Sequence, residues 1–169
     1  SGSFELAEKC GTELGRMALT SYKKIDTYED IHDVRVTNKK IFIPLRQKLP
    51  TKTGELLLEF FEERNISRIN KGKLSYEIYI MKVGSSIFVG LEGEPFVEIG
   101  LEIKKEILSK YKEIKQIFII GYSGCTGYYI PTVNAFEEGG YECEEAILTE
   151  NASNIIVKSV LETVDHIMI

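Results

Sequence analysis

Apolar positions recur at helical spacing from the start of the chain. Phe4, Leu6, Ala7, Cys10, Leu14, Met17, Ala18 and Tyr22 form one broad stripe behind Ser3, whose hydroxyl suits an N-cap. The chain therefore opens with a helix. The pattern then changes to alternation: residues 33–37 alternate around Val34 and Val36, and residues 40–45 around Ile41 and Ile43, with Asn38-Lys39 read as a turn between two strands. Pro44 puts the second run at a sheet edge or at its own end. Thr53 followed by Leu56, Leu57, Leu58, Phe60 and Phe61 predicts a short helix, and the polar stretch 65–72 a loop. Leu74, Tyr76, Ile78 and Ile80 alternate cleanly up to Gly84-Ser85-Ser86, and Ile87 to Leu91 follow, which predicts a hairpin.

The second half has a different grammar. After Leu91, Glu92-Gly93-Glu94-Pro95 reads as a turn, and Phe96, Ile99, Ile103, Ile107 and Tyr111 mark a helix to about Lys112. Ile117 to Ile120 is a continuous apolar run, as expected of a strand covered on both faces. Strand, helix and strand in this order make a βαβ unit with parallel strands. Ile155, Ile156, Val160 and Val164 stripe a closing helix. The fold class is α/β, with α+β as the variant: a mixed sheet containing one βαβ unit, with helices packed on it. No repeat, low-complexity tract or linker interrupts residues 1–169, which read as a single domain.

Composition narrows the function. With 43% hydrophobic and 28% charged residues, a 169-residue chain buries enough surface to fold without a disulfide or metal staple. Twenty-six acidic against 21 basic residues give a net charge of −5, the wrong sign for gathering nucleic-acid phosphates. No apolar window is long enough for a transmembrane helix. The three cysteines, Cys10, Cys125 and Cys143, are widely spaced and form no Cys-x-x-Cys pair, so free thiols in a reducing, cytoplasmic setting are expected rather than disulfides or structural zinc. Only two histidines, His32 and His166, are available for base or ligand duty, and they lack metal-ligand spacing.

Two loops remain for chemistry, both just beyond the carboxyl ends of the expected parallel strands, where open α/β sheets place their ligands. In the first, Pro95 suits the first position of a helix, and Glu94 is either an acidic cap at its dipole or a carboxylate held for a cation or proton. The second, Gly121-Tyr122-Ser123-Gly124-Cys125-Thr126-Gly127-Tyr128-Tyr129, lacks the spacing of a nucleotide fingerprint, and nothing nearby activates Cys125 as a nucleophile. Its glycines allow sharp turns that project phenols into whatever the loop surrounds.

Taken together, Val89-Gly90-Leu91-Glu92-Gly93-Glu94-Pro95-Phe96, the Gly-rich loop ending Tyr129-Ile130-Pro131-Thr132, and Ala135 to Glu142 resemble the neutral/alkaline non-lysosomal ceramidase family. The opening Gly2 to Glu8 resembles a segment from the middle of those proteins. The resemblance implies a zinc-dependent amidase acting on an N-acyl lipid such as N-acylsphingosine. It makes Glu94 the zinc carboxylate and Tyr129 the zinc phenol, with Tyr128 as the other choice because the family's glycine is displaced by one position. The family's two histidine ligands and serine nucleophile have no match here. By that resemblance the chain is the C-terminal half of a larger catalytic domain, its partner is the missing N-terminal half, and any targeting signal would lie upstream.

Two oxygen ligands bind zinc poorly alone, so the isolated chain is expected to be inactive. Exposed edges left by an absent neighbour are expected to drive self-association. The competing reading is a stand-alone α/β module that binds a small ligand at the Gly-rich loop without catalysis.

Overall fold

The computed structural model describes residues 2–26, 28, 30–47, 52, 55, 56, 59, 68–124 and 127–169, which form two compact units, one to His32 and one from Asp33 onwards. In the first, α1 (Phe4–Tyr22) begins as predicted: Ser3 Oγ accepts from the Leu6 amide at 3.1 Å. None of its residues is buried. The helix expected over 56–61 falls mostly outside the described residues.

The second unit is a mixed sheet with helices on it. Its strands are β1 (Val34–Pro44), β2 (Ile69–Asn70), β3 (Lys73–Val83), β4 (Ser86–Leu91) and β6 (Gln116–Ile120), in the order β1-β3-β4-β6, with β2 beside β3. A two-stranded accessory sheet joins β5 (Glu94–Pro95) to β7 (Tyr129–Ile130). The helices are α2 (Val97–Lys110), the short α3 (Val133–Glu138) and α4 (Tyr141–Glu145), and α5 (Ala152–Met168). The β3–β4 hairpin and the parallel β4–α2–β6 unit match the sequence expectation. No helix among the described residues is long and apolar enough to cross a membrane.

Three expectations are corrected. Asn38-Lys39 is not a turn: β1 is one 11-residue strand, paired along its length with β3, Val34 opposite Val83 and Pro44 opposite Lys73. The apolar residues change phase because they serve two faces, Ile41 and Ile43 toward the core and Val34 and Val36 away from it. Ile69 and Asn70 are not loop but β2, since Lys71 and Gly72 both take positive φ (50° and 71°) and close a tight hairpin onto β3. Finally, β6 is not buried on both faces. It is an edge strand with Ile117 buried but Phe118 and Ile120 each 46% exposed.

Register explains the layering. Ile80, Val89 and Ile119 stand in one row, and Ile78 and Leu91 in the next, on the face that receives α2 and α5. Ile99, Ile103 and Ile107 from α2 and Ile156, Val160 and Val164 from α5 complete the core. Gly100 lets α2 approach the sheet, because a Cβ there would already lie 3.3 Å from Ile119. The opposite face carries Val36, Met81, Phe88 and Phe118 in one row, with the Phe88 and Phe118 rings stacked at 4.8 Å.

Candidate functional site

The chain leaves β4 and β6 at the same end of the sheet, and hydrogen bonds bring the two following loops together. Ser123 N donates to Leu91 O and Tyr122 N to Gly93 O, each at 2.9 Å. Glu94 N then donates to Tyr128 O at 2.9 Å and Phe96 N to Ile130 O at 3.0 Å, which makes β5 and β7 a parallel pair. Pro95 therefore lies in a strand rather than at the first position of a helix. Helix α2 starts at Val97, with Phe96 at its N-cap and no side-chain cap bond. Glu94 is correspondingly not the acidic cap: its backbone is drawn into extended pairing two residues before the cap.

That pairing sets Glu94 directly opposite Tyr129. Both are partly exposed, whereas Tyr128, just before β7, is 1% exposed. Tyr128 Oη donates to Glu92 Oε2 at 3.2 Å, so its phenol is committed to the interior. Tyr129 meets the Tyr141 ring edge-on, centroids 5.8 Å apart. The negative charge of Glu94, foremost, and burial hold the Tyr129 phenol above its ordinary pKa, with Tyr141, Glu142 and Glu145 adding to the effect. The Tyr122 phenol is raised as well, first by hydrogen bonding with Glu94 and then by burial. Tyr122 occupies the left-handed region, φ +58°, unusual for a bulky residue and a conformation that recurs at functional loops.

Beside Glu94, between α2 and the edge strand β6, runs a groove of about 460 Å³ lined by Phe96, Gly100, Leu101, Ile119 and Tyr122, with Lys104 also on its wall. A carboxylate and a phenol at opposed register positions, among further acidic groups, are oxygen donors of the kind a divalent cation takes as two members of a ligand set. Among the described residues, no group of three or more His, Cys, Asp or Glu side chains could hold a metal alone. His32 lies in the first unit and His166 in the last turn of α5. Cys143 is buried, with its thiol pushed up chiefly by that burial, Cys10 is exposed, and Cys125 lies outside the described residues.

Beneath the pair is a cluster that sequence reasoning missed. Glu92, 2% exposed, receives Arg68 Nη2 on both carboxylate oxygens at 2.5 Å, and its backbone carbonyl accepts from Tyr76 Oη at 3.0 Å. An acidic residue before a glycine looks like part of a turn, and its basic partner lies 24 positions away.

Compared with solved structures, the chain aligns with neutral ceramidase from Pseudomonas aeruginosa over 95% of its length at a TM-score of 0.63 and 12% sequence identity. It shares the fold of the aligned part of that protein. It spans about a third of that protein's length, 33%. A ceramidase complexed with C2 aligns over 52% of this chain and 14% of its own, at a TM-score of 0.48 and 17% identity, too slight a likeness for argument. No family profile and no curated protein matches the chain by sequence.

Proposed function

We propose that the chain forms part of a zinc-dependent, neutral-ceramidase-like amidase and contributes two oxygen ligands, Glu94 and Tyr129. The observation that carries this reading is their register, a carboxylate opposite a phenol at the carboxyl ends of two parallel strands. The shared fold supports it. A zinc ion with an open position would polarise an amide carbonyl or activate water. Glu94 would hold the ion as an anionic oxygen ligand, and Tyr129 as a second oxygen ligand fixed by the same backbone bridge. The groove beside Glu94 offers an apolar wall, Phe96, Leu101 and Ile119, to the acyl portion of an N-acyl lipid such as N-acylsphingosine.

A catalytic zinc site usually takes three protein ligands. The remaining ligands and the nucleophile are assigned to polypeptide outside these 169 residues, and the isolated chain is inactive.

In the full-length protein, Glu94→Gln and Tyr129→Phe are expected to lower bound zinc and amide hydrolysis together, by tenfold or more, without loss of helix or sheet signal in circular dichroism. Unchanged zinc content and activity in both variants would remove the proposal. The same groove would serve a stand-alone binding module, in which case a small acyl ligand binds the 169-residue chain by itself and is indifferent to zinc.

A further inference from the structure

Glu92 and Tyr128 are the inward-facing neighbours of the two proposed ligands. Glu92 precedes Glu94 by two residues and Tyr128 precedes Tyr129 by one. A charge this deeply buried, 2% exposed, is costly unless it is fully paired. Here the pairing is complete: Arg68 Nη2 bridges both carboxylate oxygens at 2.5 Å, and Tyr128 Oη donates to one of them at 3.2 Å. Arg68 is tied in turn to the sheet, since its Nη2 donates to Ser75 O at 2.9 Å and its carbonyl accepts from the Ser75 amide at 2.6 Å. Tyr76 Oη fixes the Glu92 carbonyl from the same strand at 3.0 Å. Gly93 takes φ +68° between the two glutamates, and no Cβ fits there, because it would lie 2.7 Å from the Tyr128 ring. Three segments that approach from different parts of the sequence thus meet at one carboxylate.

Buried ion pairs add little net stability compared with apolar packing of the same volume, but they are directional. Besides the bond from Phe96 N to Ile130 O, two links close to the proposed ligands join the segments that carry them. One is the backbone bond from Glu94 N to Tyr128 O, and the other is the side-chain bond from Tyr128 to Glu92. We infer that Arg68, Glu92 and Tyr128 form a positioning clamp that sets the separation of Glu94 and Tyr129 and so the zinc affinity of the site, an inference resting on the zinc reading above. None of the three is among the proposed metal ligands. Groups one shell behind a metal ligand typically change metal affinity by about 10–100-fold when altered.

The test uses the full-length protein. Tyr128→Phe removes a single hydroxyl and keeps the ring that packs over Gly93, and Arg68→Lys removes the two-oxygen bridge while keeping the charge. Zinc dissociation constants are measured by competition with a chromophoric chelator, alongside the melting temperature of the zinc-free protein and hydrogen exchange of the Glu94 amide. Ile103→Val, in the core of α2 and away from the site, serves as a control for general destabilisation. The clamp predicts zinc affinity roughly tenfold weaker in both variants, faster exchange at Glu94, and a loss of affinity larger than that of the control at equal change in melting temperature. Affinity within twofold of the parent, or a loss no larger than the control's, would overturn it. Glu94→Gln measured in parallel separates the two claims. If that substitution leaves zinc binding intact, both readings fall; if it abolishes binding while Tyr128→Phe and Arg68→Lys do nothing, only the clamp falls.

Discussion

At Gly93 the constraint is steric. The backbone sits at φ +68°, and an added Cβ would lie 2.7 Å from both the Tyr128 ring and the Tyr128 carbonyl oxygen. Left-handed strain and overpacking act together, so Gly93→Ala is expected to destabilise the fold by about 2–4 kcal/mol, measured by urea unfolding. A loss below about 0.5 kcal/mol, within the range of an ordinary surface substitution, would mean that the two loops are not held as described. The residues of the candidate site were only partly legible in the sequence. Glu94 and Tyr129 stand out through family resemblance, but that they face each other follows from hydrogen bonds made by Glu94 N and Phe96 N, which no local pattern announces. Tyr128 and Tyr129 are indistinguishable by residue type. Strand alternation separates them, one facing inward to Glu92 and the other outward to Glu94. Pro95 read as a helix start because its fixed φ suits a first turn and an extended strand alike.

Among the elements, α2 and α5 are joined at one end by a polar contact. Asp165 Oδ1 accepts from Lys110 Nζ at 2.7 Å and from Tyr111 Oη at 2.6 Å. Lys110 first, and then Tyr111, hold the Asp165 carboxyl below its ordinary range. A carboxylate whose pKa is lower in the folded chain stabilises the fold above its unfolded value, about 3.9, and that contribution is lost as pH falls through the folded value. The melting temperature of Asp165→Asn is therefore expected to lie below the parent's at pH 7, with the gap closing as the pH is taken from about 4 downward. A gap that is constant from pH 7 to pH 2 would refute this linkage. Elements with one clean period were readable from sequence: α1 with its Ser3 cap, the β3–β4 hairpin, α2 and α5. Strand β1 was not, because its apolar residues switch from even to odd positions at mid-strand. A sequence reader sees a turn where the chain in fact packs Ile41 and Ile43 inward and leaves Val34 and Val36 outside. Strand β6 misled for a related reason, since four consecutive apolar residues do not reveal whether the second face is covered.

At the level of the whole molecule, the exposed apolar residues of the sheet have the broadest consequence. Val36 (71% exposed), Met81 (38%), Phe118 and Ile120 form an apolar surface opposite the helices, and no strand among the described residues pairs with the edge of β6 beside it. Surfaces and edges of this kind drive association unless another body covers them. The 169-residue chain alone is expected to show concentration-dependent association in sedimentation velocity, and Phe118→Lys to reduce it with little change in melting temperature. A monomer at all concentrations up to the millimolar range would contradict the expectation. The composition, with few histidines and a negative net charge, does not indicate what the two loops do. The central claim is that Glu94 and Tyr129 bind one metal ion. The most direct test is an anomalous-difference map at the zinc edge from crystals of the full-length protein. The account predicts a single strong peak about 2.0–2.2 Å from a Glu94 carboxylate oxygen, within bonding distance of the Tyr129 phenol oxygen and lost in Glu94→Gln. Zinc bound elsewhere, with neither Glu94 nor Tyr129 within bonding distance of it, would contradict it.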